Sequence, residues 1–188
     1  MKPGFIFSVY FIKNNSKLRP TLNVHARYRV ERDIPMRLTR QTNYAIRILM
    51  YCAANDGNLS RIGEIAQAYT VSELFLFKIL QPLVENGFIE TVRGRNGGVK
   101  LGKPAKDITL FDVVRVTEEN FAMAECFEND AADCPLIDSC GLNAALRKAL
   151  NAFFEVLADY TIEDIVDKRD VRSLLGIDVL EKRLATAS

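Results

Sequence analysis

The sequence lacks long apolar runs and contains only one histidine. No stretch reaches the roughly 18 to 20 uninterrupted apolar residues of a membrane-spanning helix, so we expect a soluble protein with no membrane partner. A catalytic cysteine normally needs a nearby base such as histidine, and His25 lies in a leading segment without helical periodicity. This inventory disfavours a cysteine-dependent enzyme, and we predict no catalytic residue and no small-molecule substrate.

The charges balance in total but not along the chain. The 188 residues include 25 Lys and Arg and 24 Asp and Glu, a formal net charge of +1 that by itself neither favours nor excludes a nucleic-acid partner. Residues 36–105 contain nine basic and five acidic residues, whereas residues 107–170 contain five basic and fifteen acidic ones. A basic module followed by an acidic one suits a segment that contacts phosphate groups and a second segment that does not.

The first 35 residues resemble neither a helix nor a complete signal peptide. The apolar run of residues 4–12 follows Lys2, but no small-residue cleavage site comes after it. A patterned helix begins directly after Pro35. We therefore interpret residues 1–35 as a non-native or disordered extension, with Met36 as the biological start, and we expect the protein in the cytoplasm.

The pattern after residue 36 predicts three helices. Thr39 begins a first helix that ends at the stop signal Asn55-Asp56-Gly57, and Ser60 is expected to cap a short second helix. Ser72 is expected to cap the third helix. The apolar face of this third helix consists of Leu76, Ile79, Leu80 and Leu83.

A basic hairpin follows the third helix. Two strand-like runs, residues 88–92 and 99–101, flank a turn that contains Asn-Gly. Helix, turn, helix and basic hairpin is the order of a winged helix-turn-helix, in which the helix after the turn enters the major groove of DNA. We therefore predict a mainly α fold with a small β hairpin and a DNA-binding domain over residues 36–105.

Side chains on the outer face of the third helix are expected to read bases. Lys78 can hydrogen-bond to base edges, whereas Leu74 and Phe77 can only meet thymine methyl groups, so an AT-rich operator fits. Arginines on the slim turn of the hairpin suit a narrow minor groove, and arginines of the first helix, Arg40 and Arg47, can bind phosphates. Any one of these arginines alone would fit a solvated face, but their order along the motif favours DNA. The predicted DNA contacts are Arg37, Arg61, Ser72, Leu74, Phe75, Phe77, Lys78, Arg93, Arg95 and Asn96.

The chain after residue 106 is expected to have a different role. Thr109 and Asp112 resemble a capping box that opens a helix. Residues 120–141 are irregular and acidic, and an apolar stripe on residues 142–157 predicts a long helix. We assign residues 106–170 to a cysteine-bearing loop with its helices, and residues 171–188 to a flexible tail.

Three of the four cysteines, Cys126, Cys134 and Cys140, are spaced C-x7-C-x5-C in this loop, whereas Cys52 lies on the apolar face of the first helix, where we expect core packing. A disulfide would leave one of the three unpaired, and thiolates select zinc or iron-sulfur clusters. The spacing does not match the C-x2-C knuckles of structural zinc sites. We therefore predict an iron-sulfur cluster, with zinc or a bare-thiol redox switch as the alternative. Carboxylates, water and Cys52 are the candidates for a fourth ligand.

These motifs together resemble the Rrf family of winged-helix iron-sulfur transcriptional regulators. The resemblance covers residue 36 to about residue 160 and includes the three-cysteine loop before the long helix. The other matching motifs are Met36-Arg37-Leu38-Thr39, Asn43-Tyr44-Ala45, and Val92-Arg93-Gly94 with Gly97-Gly98.

The resemblance implies a repressor that senses iron. It implies a homodimer joined by the long helix at residues 142–159, a two-fold-symmetric operator of double-stranded DNA, and a 4Fe-4S cluster that keeps the protein on DNA when iron is plentiful. The exact cysteine spacing is similar to that of family members that repress iron-uptake genes. Sensing of nitric oxide or of cluster biogenesis is the alternative within the family. Asn43 stands where some members have an acidic ligand.

Overall fold

Helices dominate the part of the chain that the structure describes. In this computed structural model the described residues are 37–55, 58–94, 97–127, 134–135, 140–166 and 168–177. The described residues from Leu38 onward belong to one compact unit. The predicted extension of residues 1–35 and its boundary at Met36 lie outside the described residues, and so do Arg95 and Asn96.

The first helix, α1, spans Arg40–Ala54 and begins as the sequence predicts. The Thr39 hydroxyl accepts a hydrogen bond from the backbone N–H of Thr42 at 3.2 Å, which satisfies one of the unpaired donors at the helix start. Ala45, Ile48 and Leu49 on its apolar face are fully buried. This helix therefore forms the centre of the core.

The second helix, α2, spans Ile62–Tyr69 but does not use the predicted cap. The cap position is Arg61, whose backbone N–H donates to the Glu64 carboxylate at 3.2 Å. Ser60 is fully buried and exchanges two backbone hydrogen bonds of 2.8 Å with Val99, while its hydroxyl accepts one from Asn55 Nδ2 at 2.9 Å. The prediction that Ser60 caps the helix is therefore wrong, because the Ser60 backbone pairs with a distant strand and its hydroxyl contacts Asn55.

The third helix and the hairpin confirm the predicted winged helix-turn-helix. α3 spans Glu73–Glu85, and Ser72 Oγ accepts the N–H of Phe75 at 3.3 Å. Strand β1, Ile89–Val92, pairs antiparallel with β2, Gly98–Leu101. After β1, Gly94 has a φ of 115° that favours glycine.

Two short helices flank a long one and begin with the same local motif. α4, Leu110–Thr117, and α6, Ile162–Ile165, each follow a threonine that accepts an N–H from the Asp three residues later, and the carboxylate accepts an N–H in return. Between them lies α5, Gly141–Ala158. The backbone of Leu110 donates to the Tyr160 carbonyl at 2.8 Å, and that of Ile162 donates to the Ile108 carbonyl at 2.9 Å. The C-terminal end of α5 is thereby joined to the start of α4.

The hydrophobic core crosses the predicted domain boundary at residue 105. Ile108, Val113 and Ile162 are fully buried in the same core as the apolar residues of α1, α2 and α3. The boundary thus separates the predicted DNA-binding residues from the predicted cysteine loop and its helices. It does not separate two hydrophobic cores. We refer to the elements that share this core, α1–α4, the hairpin, α6 and the following helix α7 (Lys168–Leu174), as the head.

Helix α7 corrects the predicted tail. Ile177 is 2% exposed, and Val171 and Leu175 pack against the core. Arg172 Nη1 donates to the Ala54 carbonyl at the end of α1 at 2.9 Å. The prediction of a flexible tail is therefore wrong for residues 171–177, and residues 178–188 lie outside the described residues. So short a helix depends on tertiary packing, which its own few apolar residues do not reveal.

Cys52 is expected to resist alkylation in the folded protein. It is 1% exposed, which confirms core packing, and burial raises the pKa of its thiol from 9.0 to about 12, although a hydrogen bond with Ser60 lowers it. The thiolate fraction near neutral pH should fall about a thousandfold. Iodoacetamide treatment of metal-free protein at pH 8, followed by peptide mass spectrometry, should label the other three cysteines first. Unfolding in guanidinium should make all four react, and equal rates in the folded protein would contradict the burial.

Candidate nucleic-acid interface and cysteine site

The outer surface of α3 is apolar near its start. Leu74 is 77% exposed and Phe77 is 53% exposed, and Lys78 beside them is also exposed. Large apolar side chains that face solvent together often mark a contact surface. In the helix that a winged helix-turn-helix places in the major groove, such side chains can meet thymine methyl groups.

Two arginines of α1 stack on aromatic rings next to α3. The Arg40 guanidinium lies 4.7 Å from the centre of the Phe75 ring and 5.5 Å from that of Tyr44. The Arg47 guanidinium lies 5.0 Å from the Tyr44 ring and 5.6 Å from the Tyr69 ring. Stacking occupies the flat face of a guanidinium and leaves its in-plane N–H groups directed outward, where phosphate oxygens can accept them.

This stacking changes the role expected for Phe75 and adds residues that the sequence reasoning missed. The Phe75 ring is half-buried and stands edge-on to Tyr44, with ring centres 5.3 Å apart. It therefore supports the Arg40 side chain, and only part of its surface is accessible to DNA. Tyr44 and Tyr69 were not predicted as supports. The available signal is the spacing of Arg40, Tyr44 and Arg47, which places all three on one side of α1.

The remaining predicted DNA contacts are exposed where the structure describes them. Arg61 precedes α2, Arg93 follows β1, and both side chains are exposed, as is Arg37. Ser72 is exposed as well, although its hydroxyl already caps α3. These positions suit phosphate contact, which needs charge and access more than exact geometry.

Cys126 and Cys140 come together at one residue of α5. Cys126 lies in the 3-10 turn Glu125–Phe127, and Cys140 is the N-terminal cap of α5. The side-chain Nδ2 of Asn143 donates to Cys126 Sγ at 3.1 Å, and the backbone N–H of Asn143 donates to Cys140 Sγ at 3.5 Å. Two of the three predicted ligands are therefore neighbours, although 13 residues separate them in the sequence.

The donor chemistry of this region fits a soft metal centre. All three loop cysteines are free thiols of intermediate exposure, and thiolates are the ligands that iron-sulfur clusters use. Within the described ranges, no three His, Cys, Asp or Glu side chains are arranged around a single metal ion. The structure thus joins Cys126 to Cys140 and does not place Cys134 with them, and the three-cysteine ligand set stays a prediction. Cys52 is buried in the core and offers no exposed sulfur as a fourth ligand.

The segment before Cys126 is attached at two points. Glu118 Oε1 accepts the backbone N–H of Thr39 at 2.7 Å, at the start of α1. Phe121 packs edge-on against Phe154 of α5 with ring centres 4.8 Å apart, and Phe154 also contacts Phe111 of α4 at 5.3 Å. Residues 118–127 therefore connect the start of α1, the body of α5 and the first cysteine of the loop.

Helix α5 leaves part of its apolar surface uncovered. None of its residues is buried, and Leu142 and Val156 are 64% and 56% exposed. A long apolar stripe of this kind typically packs on another helix. Within the described residues, every helix is too short or too polar to cross a membrane.

Comparison with known families identifies one match over most of the chain. The profile of the Rrf2 family, described as iron-dependent transcriptional regulators, matches residues 38–168. Protein aau3 of Rhizobium meliloti (strain 1021) is 72% identical over 144 residues, which are 76% of this chain and 94% of that protein. The HTH-type transcriptional regulator NsrR of Bacillus licheniformis is 42% identical over 143 residues, 75% of this chain and 100% of that protein. The crystal structure of a transcriptional regulator from Listeria innocua superposes with a TM-score of 0.58 at 26% identity, over 69% of this chain and 85% of that chain.

Replacing Arg40 or Arg61 by alanine is expected to weaken binding to a promoter duplex evenly across sequences. Each lost phosphate contact should reduce the slope of log affinity against log salt by about one. Fluorescence anisotropy over a salt series measures both quantities. Lys148→Ala removes an equal charge from exposed α5 and serves as the matched control. A variant whose salt slope equals that of Lys148→Ala would show that its arginine belongs to a solvated face.

Proposed function

This chain belongs to the Rrf2 family of iron-dependent, DNA-binding transcriptional regulators, and from this premise we propose that it represses iron-uptake genes. We infer that it acts in the cytoplasm as a homodimer and senses iron through a labile 4Fe-4S cluster held by Cys126, Cys134 and Cys140. The cysteine spacing and residues 72–80 resemble those of the rhizobial iron regulator. The relative that is 72% identical also comes from a Rhizobium.

One observation supports this proposal more than any other. Cys126 and Cys140 meet at Asn143 in the first turn of α5, and the opposite end of the same helix is hydrogen-bonded to the head through Tyr160 and Ile162. The cysteines therefore lie where a change in their linkage can alter how α5 is held. Cys140 also caps the helix, so the partial positive charge of the helix N-terminus lies beside this sulfur.

When bound, the cluster would supply an iron-dependent link among the three cysteines that is lost when iron is scarce. With the cysteines held together, residues 118–127 stay against α5 and Glu118 keeps its hydrogen bond to the start of α1. Both ends of α5 are then fixed relative to the head. In a dimer, this arrangement sets the spacing of two reading helices, which must match the spacing of the operator half-sites.

With the cysteines apart, the acidic loop is released from the start of α5. Its charges can then compete with DNA phosphates for the basic side chains of the head. The arginines stacked on Tyr44 are the residues most suited to such competition. Repression ends because the two heads lose their fixed spacing and part of their positive surface. The acidic residues of this loop are Glu125, Glu128, Asp130, Asp133 and Asp138.

A zinc or thiol redox switch is the second candidate. It is favoured by the same contact, since two cysteines held at one residue also suit oxidation or a zinc site. Protein purified without oxygen distinguishes the candidates: iron-sulfur protein is brown, whereas the zinc and thiol forms are colourless. Sensing of nitric oxide or of cluster biogenesis remains the alternative within the family. Exposure of brown protein to each signal, followed by operator binding, separates these.

The apolar stripe of α5 is proposed as the dimer interface. Leu146 lies in this stripe and is half-buried, and none of the described core residues of the head comes from α5. Leu146→Glu is therefore expected to give a folded monomer by sedimentation velocity, with operator affinity lower by about a hundredfold because the two heads no longer bind together. Asn151→Glu, on the opposite side of the helix, is the control. A dimeric Leu146→Glu protein would refute this interface.

Replacing Cys126, Cys134 and Cys140 together by alanine is expected to abolish iron and sulfide binding. The operator affinity of the triple variant should be at least about tenfold weaker than that of iron-loaded protein. This factor lies within the range that allosteric couplings between two sites produce. Anaerobic purification, iron and sulfide analysis and a gel shift measure this. Cys52→Ala controls for loss of a thiol and should keep its iron. A triple variant that binds the operator as tightly as loaded protein would overturn the mechanism.

A further inference from the structure

Asn143 makes three hydrogen bonds at the start of α5. Its backbone N–H reaches Cys140 Sγ at 3.5 Å and its Nδ2 reaches Cys126 Sγ at 3.1 Å. Its Oδ1 accepts a hydrogen bond from Arg147 Nε at 2.8 Å. One polar residue thus contacts two cysteines, while a cation one helical turn away contacts its carbonyl oxygen.

Arg147 determines which end of the Asn143 amide faces the sulfur. An arginine side chain carries only hydrogen-bond donors, so the amide group next to it must be the oxygen. The NH2 group is then directed to Cys126. Positions 143 and 147 are one turn apart on the same side of α5, which brings the two side chains into contact.

Arg147 is itself held by the residue that follows Cys126. Its guanidinium lies 4.7 Å from the centre of the Phe127 ring. The contacts from Phe127 to Arg147, from Arg147 to Asn143, and from Asn143 to Cys126 form a closed circuit. These contacts attach the 3-10 turn of Cys126 to α5 without a bond between cysteines.

We propose that Asn143, oriented by Arg147, is a positioning residue that holds Cys126 beside Cys140 and donates N–H groups to both sulfurs. The inference rests on the proposed function in one respect, since it takes Cys126 and Cys140 as ligands of the iron-sulfur cluster. Hydrogen bonds to ligand sulfurs stabilise their negative charge and tune a cluster. Loss of such an outer contact typically weakens metal binding 10- to 100-fold.

The first test uses the full metal-free chain and needs no cluster. A short bis-maleimide is added to reduced protein, and mass spectrometry measures the cross-link between Cys126 and Cys140 relative to cross-links with Cys134. The Cys126–Cys140 product should dominate in the unmodified protein. Asn143→Ala and Asn143→Leu should lower its share several-fold, because the first removes the amide and the second fills its space without a donor.

Matched variants separate positioning from folding. Asn151→Ala, an exposed asparagine on the same helix, should behave like the unmodified protein. Arg147→Ala should resemble Asn143→Ala, whereas Arg147→Lys should partly restore the cross-link because it keeps a charged donor. Circular dichroism verifies the helix content. If the Asn143 variants do not fold, the exposed Arg147 pair decides the question.

The second test follows release of iron from anaerobically purified protein to a chelator, by loss of visible absorbance. Asn143→Ala should release iron about tenfold faster than Asn151→Ala. Unchanged cross-linking and unchanged release in both Asn143 variants would overturn the inference while leaving the proposed function intact. If oxygen-protected protein contains no iron or sulfide, the proposed function fails, and the cross-linking result alone decides whether Asn143 positions the two thiols.

Discussion

Helix α5 is fixed at one end by backbone hydrogen bonds and at the other by contacts to cysteine sulfur. At its C-terminal end, Tyr160 and Ile162 form backbone hydrogen bonds with Leu110 and Ile108 at the start of α4. At its N-terminal end, Asn143 contacts Cys126 and Cys140. A helix of 18 residues spans roughly 27 Å, so a small change at the sulfur end moves a long surface. The position of the proposed dimer stripe relative to the head depends on how this one helix is held.

The head supplies the side chains that are proposed to bind DNA. Arg40 and Arg47 are held against aromatic rings before any partner arrives, so less side-chain entropy is lost when they bind phosphate. Both arginines lie on α1. Glu118, in the segment of residues 118–127, accepts the N–H of Thr39 at the start of this helix. The acidic segment therefore already contacts the DNA-binding part of the molecule, at a position next to its basic surface. This contact gives the loop a direct route by which its arrangement can affect α1.

Elements that are encoded by neighbouring residues could be predicted from the sequence. Thr39, Ser72 and Thr109 each cap a helix through a residue three positions later, and the hairpin turn is marked by its glycines. Features that depend on distant partners could not. Ser60 pairs with a strand 39 residues away, Arg172 reaches α1 across 118 residues, and Asn143 reaches Cys126 across 17. The spacing of the cysteines identified the ligands proposed here, but it gave no sign of the amide between two of them.

The central claim is that the state of the cysteine site controls DNA binding by the head. The most direct test measures operator binding by one anaerobically purified sample before and after a chelator removes its iron. A gel shift on promoters of iron-uptake genes is the assay, with iron and acid-labile sulfide measured in the same sample. We expect brown protein that binds the operator at least about tenfold more tightly before chelation than after it. Equal affinity in the two states, from a sample shown to have lost its iron, would contradict the coupling.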